Sequence, residues 1–249
     1  MPWFELDPHS IAARLRTRGP AENLPSLGRS LATGIAGFTL LGVAGFAPWA
    51  LGAAWFRGRG GEGGMYAACA LVFIGLSSPL LHRLIPGPGS VGRFYRLFGS
   101  TFAAYSVAWI AGWMLLGGHP GSIAGLLAGT ALMGWMLCRA FDAPEQLARV
   151  IAALFLLNSA GYFAGGLAEA ALAGWKGISW FGAPIPRRTR LLLAMFSWGV
   201  CYGAGFGAGL GIALHACQGQ ARELLAGGRL GEAGAAERPP GRPGTTPGN

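Results

Sequence analysis

Charge is what this chain has least of. Asp, Glu, Lys and Arg together make up 12% of its 249 residues, about half the share usual in a soluble domain. A soluble fold of this length covers itself with charged side chains, so the composition excludes an ordinary water-soluble globule. Acids are scarcer still, 10 against 19 basic residues, for a formal net charge of +9. The basic excess does not point to nucleic acid, because the arginines stand in short clusters between apolar runs. That is the pattern of loops beside anionic lipid headgroups, not of a nucleic-acid groove. Lysine is nearly absent: Lys176 is the one lysine in the chain. Arginine in its place, with abundant glycine and alanine, fits a GC-rich bacterial genome.

Cysteine is sparse as well. Cys69, Cys138, Cys201 and Cys217 lie inside or at the ends of apolar runs, without CxxC or metal-ligand spacing. A disulfide framework and a zinc module are excluded, and small buried apolar side chains are expected. Cys138 and Cys217 fall at the same membrane face, which leaves a pair there open. No phosphate loop, dinucleotide fingerprint, HExxH or paired-carboxylate signature occurs, so no cofactor is implied and the chain reads as a non-enzyme. No short apolar core with a small-residue cleavage site precedes residue 30, so no signal peptide is expected.

What the sequence has in plenty is long apolar runs, with hydrophobic residues at 52%. Six stretches, about 30–56, 65–85, 94–116, 120–138, 147–175 and 191–217, are each long enough to cross a bilayer as a helix. The expected fold is all-α, a polytopic membrane domain over residues 30–217. Residues 1–29 form a polar N-terminal segment, and residues 218–249 read as a flexible, Gly- and Pro-rich tail. Asp7-Pro8 resembles a helix start, and Ile11 and Leu15 share one face while Arg14 and Arg18 share another. A short basic amphipathic helix on the inner leaflet fits this, as does a merely solvated tail. Pro48 leaves room for an early exit of the first span, so five spans is the competing count. Pro79 deprives the Gly75 carbonyl of its helical partner, and Ser77 or Ser78 is the expected replacement.

Arginines concentrate on the face shared by the two termini, which predicts both termini in the cytoplasm of a bacterial inner membrane. Lys176, Arg187, Arg188 and Arg190 gather on the other face and run against that rule. Trp49, Trp55, Trp113, Trp175 and Trp180 would form the outer aromatic belt.

Glycine carries the architecture. In water a glycine costs a helix about 1 kcal/mol relative to alanine. Inside a bilayer the backbone has no water to bond, so the segment stays helical and glycine becomes a surface for close approach. Gly199, Gly203, Gly207 and Gly211 repeat every four residues, turning about 40° per step, and so form one groove. Gly205 and Gly209 lie roughly opposite. The last span should therefore be wedged between two neighbours. Gly121, Gly125 and Gly129 repeat the spacing on the fourth span.

Polar groups inside the runs are few. Asn158, Tyr162, Gly165 and Glu169 fall at steps of four, three and four, one stripe on the fifth span. Glu169 is the acid within it, and an intramembrane carboxylate is a candidate for proton or cation passage. It also lies about 9 Å from Trp175 along the helix, near enough to reach headgroups. Both readings stay open from the residues alone. His82 and His215 sit near the cytoplasmic ends of their spans, and ligation of haem or quinone would need such a pair to face each other.

The run Gly203-x-Gly-x-Gly-x-Gly-x-Gly211 resembles the glycine motif of the proteolipid rotor-ring subunits of rotary ATPases. Chain length, span number and the order of acid helix and glycine helix all differ, so the resemblance implies close packing and no role for Glu169. Gly75-Leu-Ser-Ser78 with His119-x-Gly-x-x-x-Gly125 is similar to the serine and histidine motifs of rhomboid intramembrane proteases. Ser77 and His119 belong to opposite ends of the membrane domain, which separates nucleophile from base. Ser78 and His82 lie four apart on one helix without an orienting partner.

The leading reading is a non-catalytic scaffold, assembly factor or accessory subunit that contacts lipid and itself or other membrane subunits. The alternative is a small transporter or channel using Asn158, Tyr162 and Glu169 beside the glycine-rich helix.

Overall fold

The computed structural model describes residues 4–16, 24–175, 179–180 and 183–236. A short helix, α1 (Pro8–Arg16), opens on Asp7, whose Oδ1 accepts from the Ser10 backbone N–H at 3.0 Å. The long helix α2 (Leu27–Gly45) starts where the Ser26 hydroxyl accepts from the Arg29 amide at 3.3 Å. Both starts follow the rule that a short oxygen-bearing side chain satisfies the first free amides of a helix. The axis breaks at Phe46, and α3 (Ala47–Arg57) continues with Pro48 in its first turn. Next come α4 (Gly61–Leu81), α5 (Ser90–Leu116), α6 (Gly118–Phe141), α7 (Leu147–Gly174), α8 (Arg187–Cys217) and α9 (Gly219–Ala236). Before α8, Ser179–Trp180 pairs antiparallel with Ala183–Pro184. Lys176 lies outside the described residues.

Six of these stretches are long and apolar enough to cross a membrane, counting α2 with α3 as one span of 31 residues. The shortest holds 22 residues, about 33 Å of helix against a hydrocarbon core of about 30 Å. The chain is therefore an all-α polytopic membrane protein. The turn between α5 and α6 is one of the tightest. It depends on Gly117 (φ 65°) and Gly118 (φ 50°), in the left-handed region that glycine enters without a Cβ penalty.

The spans close into a ring. Neighbours in sequence touch from α4 through α8, and α8 returns to pack along α2, which in turn touches α4. Large apolar side chains on the outside, among them Leu71, Val107, Leu115 and Leu167, are mostly exposed and present the ring to acyl chains. The inside is aromatic. Phe38 stacks on Phe206 at 4.4 Å between centroids, and Phe94, Phe98 and Phe102 stack in a ladder along α5.

Close approach of backbones sets the tightest seams. On α8, a Cβ at Gly207 would strike the Gly34 carbonyl of α2, and one at Gly211 would lie 2.6 Å from the Ser30 oxygen. Gly199 and Gly203 meet Gly42 and Phe38 of the same helix. Gly205 and Gly209 face the other way, against Leu157, Gly161 and Ala153 of α7. On α6, Gly121, Gly125 and Gly129 meet Trp113, Trp109 and Tyr105 of α5. With no Cβ between them the helices gain dispersion contacts that hydrocarbon cannot supply.

Three local expectations give way to the structure. The apolar face of α1 does not lie on lipid: Ile11 and Leu15 are buried in the protein's core, and α1 packs on α9. Two apolar residues on a nine-residue helix are little to hold in a bilayer, and protein fills the same need. Residues 219–236 are helical where the composition reads as a tail, and α9 packs on α1. The Gly75 carbonyl is satisfied neither by Ser77 nor by Ser78. Ser77 Oγ donates to Ile74 at 2.7 Å and Ser78 Oγ to Val91 at 2.8 Å, while the Tyr95 hydroxyl takes the Gly75 carbonyl at 2.5 Å.

Candidate functional site

A half-open cavity of about 360 Å³ lies within the ring, towards the end away from the termini. Its walls come from every span but α6. Phe46 and Trp49 enter from the break after α2, Tyr66, Cys69 and Phe73 from α4, and Phe102, Tyr105, Ser106 and Trp109 from α5. Tyr162 and Glu169 come from α7, and Trp198 and Tyr202 from α8. Helix periodicity explains the gathering. On α8, Trp198, Tyr202 and Phe206 stand at steps of four beside the glycine groove, and on α5, Phe98, Phe102, Tyr105 and Trp109 stand at four, three and four.

The glycines hold these rings in place. A Cβ at Gly129 would lie 2.7 Å from the Tyr105 ring, and one at Gly125 would lie 2.5 Å from the Trp109 carbonyl. Gly165 leaves room for Trp198, whose ring would stand 2.9 Å from an added Cβ. Trp198 then stacks on Tyr202 at 5.3 Å and meets Phe46 edge to face at 4.7 Å. Close helix packing and the shape of the cavity are thus one arrangement.

The polar stripe of α7 divides by depth. Asn158 is fully buried and donates from Nδ2 to the Tyr105 hydroxyl at 2.9 Å, while Tyr202 reaches the same hydroxyl at 3.4 Å. Asn158 Oδ1 is buried without a partner among the described residues. Tyr162 lines the cavity, with its hydroxyl 3.2 Å from Ser122 Oγ of α6. Glu169 is half-buried, lines the cavity near its outer end, and makes no hydrogen bond or ion pair among the described residues. Tyr162 and Glu169 therefore share the cavity directly, and Asn158 reaches it through Tyr105. Sequence reasoning passed over Tyr66, Tyr105, Trp109, Trp198 and Tyr202. For all of these but Tyr66 the signal was available in the two aromatic stripes, but such stripes read first as core.

The other candidates stay apart. His119 stacks on Phe163 at 6.1 Å and is not joined to Ser77, whose hydroxyl is turned onto its own helix. The His82 Nδ1 contact of 2.9 Å is to the Ser78 carbonyl and not to its hydroxyl. Among the described residues no three His, Cys, Asp or Glu come together as a metal site. The aromatic floor of Phe38, Phe73, Phe102 and Phe206 closes the cavity from the end that carries the termini. Chemically, the arrangement can hold one small, largely apolar molecule beside a single carboxylate. No protein-family model, curated protein or solved structure matches the chain.

Proposed function

We propose that the protein is a small-solute carrier of the bacterial inner membrane, with Tyr162 and Glu169 in its binding cavity and Asn158 supporting it from below. The observation that carries this reading is Glu169, the one formally charged group lining a half-open aromatic cavity that packed rings floor on the side of the termini. A carrier holds its substrate in such a cavity, enclosed by its own spans and closed towards one side of the membrane at a time. The glycine faces of α6 and α8, which a scaffold would offer to partners, are occupied by α2, α5 and α7 of the same chain. They therefore lend a scaffold role no support. The arginines Arg14, Arg16, Arg29, Arg83, Arg93, Arg96, Arg139 and Arg149 lie at the end of the termini and favour that end as cytoplasmic.

The test is exchange of labelled solutes in proteoliposomes, with a panel of small cationic, neutral and anionic compounds. At least one is expected to exchange through the parent protein, and Glu169→Gln is expected to reduce that exchange. A panel that crosses parent and empty vesicles equally removes the reading. Reporter fusions at the C-terminus check the orientation, and an external signal overturns it.

A further inference from the structure

We propose that the cavity is a site for an organic ammonium ion with an apolar body. This rests on the carrier reading of the same cavity. Ten of the fifteen lining residues are aromatic, and Glu169 is the one formally charged group among them. Each feature selects the same sign. Aromatic faces carry negative electrostatic potential and attract cations, most strongly where water is excluded. A carboxylate in such surroundings is costly unless a counter-charge comes to it. Among the described residues no arginine supplies one. An anion would meet repulsion from the ring faces and from Glu169 together.

The same walls separate an organic cation from an inorganic one. A metal ion needs several oxygens to replace its water. Here Glu169 is the one carboxylate in the lining, the Tyr105 and Tyr202 hydroxyls are bonded to each other, and no three His, Cys, Asp or Glu gather among the described residues. The apolar body of an organic ammonium would instead contact Phe46, Phe73 and Phe102, while its charged end lies towards Glu169. The volume of about 360 Å³ stands at the small end of ligand pockets, which favours a compound of one ring or a short branched chain over a lipid.

The experiment uses the full chain in detergent, titrated calorimetrically with benzyltrimethylammonium and, separately, with phenylacetate. The two share the benzyl body and differ in the sign of the charge. Saturable binding of the cation is expected, with the anion weaker by at least about tenfold. Glu169→Gln should weaken the cation by about tenfold and leave phenylacetate unchanged or improved. A second readout needs no variant. Cys69 lines the cavity, so the cation should slow its alkylation, measured at that cysteine by mass spectrometry, and phenylacetate should not.

Equal affinity for both compounds, or a Cys69 rate indifferent to the cation, overturns the assignment. Binding without exchange in proteoliposomes removes the carrier reading and leaves the cation site standing. Exchange restricted to neutral or anionic solutes, with no cation binding, does the reverse.

Discussion

The hydroxyl of Tyr95 donates to the carbonyl of Gly75 across 2.5 Å, binding α5 to the turn of α4 that Pro79 interrupts. Pro79 has no amide hydrogen for the residue four before it, and in a bilayer no water stands ready to take its place. Tyr95→Phe should therefore cost about 1 kcal/mol of stability. In a Pro79→Ala background the helix supplies its own hydrogen bond, so the same change should cost much less. Thermal unfolding of the four proteins in one detergent measures the coupling, and equal costs in both backgrounds would remove this role for Tyr95.

Backbone contact at α8 makes a second prediction. Gly207→Ala places a methyl against the Gly34 carbonyl of α2, whereas Gly92→Ala on α5 meets nothing within 4 Å. Both changes gain the same helix propensity, about 1 kcal/mol, so their difference reports packing alone. Gly207→Ala is expected to lose about 1–3 kcal/mol net, because the obstruction is backbone and cannot rotate away. Gly92→Ala should be neutral or stabilising. Similar melting temperatures for the two would show that this seam is looser than it stands here.

The first turn of α1 titrates. Partial burial pushes the Asp7 carboxyl up, but hydrogen bonds from Ser10 outweigh it and leave it below its ordinary value. A carboxylate held low in the folded state contributes stability above its unfolded value of about 3.9 and loses it as pH falls through the lower folded value. The protection of the Ile11–Leu15 amides, measured as exchange relative to an unfolded peptide at the same pH, should therefore fall below about pH 4. Glu5, paired with Arg14, is a second carboxylate nearby, so Asp7→Asn separates the two. Asparagine caps a helix without a charge and should remove the Asp7 part of the acid response. An unchanged acid response in Asp7→Asn assigns it elsewhere.

The spans were legible in the sequence because a bilayer asks so little of one: length, low charge and a turn at each end. Gly87, Gly89, Gly117 and Gly118, all at positive φ, mark two of those turns. The glycine spacing on α8 was readable for a similar reason, since a step of four residues fixes a face before any neighbour is known. What needed coordinates was the identity of neighbours. The helical turn that Pro79 opens invited a local donor, Ser77 or Ser78, and the donor came from Tyr95 on another helix. The apolar residues of α1 could have met lipid or protein, and only the position of α9 and of the turn after α4 decides between them. Glu169 stood out as a lone acid. Its companions Tyr105 and Trp198 did not, because a ring on an apolar helix looks the same in sequence whether it fills a core or lines a hollow.

Tyr105 is the point where the buried polar groups meet, and it yields the last prediction. Its hydroxyl takes hydrogen bonds from Asn158 at 2.9 Å and from Tyr202 at 3.4 Å, with all three side chains buried. Tyr105→Phe removes the shared acceptor and strands both donors, whereas Tyr202→Phe removes one long contact and strands nothing. A stranded buried donor costs about 1–3 kcal/mol, more than the net value of a satisfied bond. Tyr105→Phe should thus destabilise by about 2 kcal/mol and Tyr202→Phe by well under 1 kcal/mol. Adding Asn158→Leu, which deletes one stranded donor and keeps the volume close, should recover part of the Tyr105→Phe loss. Unfolding of the single and double variants checks the order. If Tyr202→Phe proves the costlier, the shared hydroxyl is not what joins α5, α7 and α8 beneath the cavity.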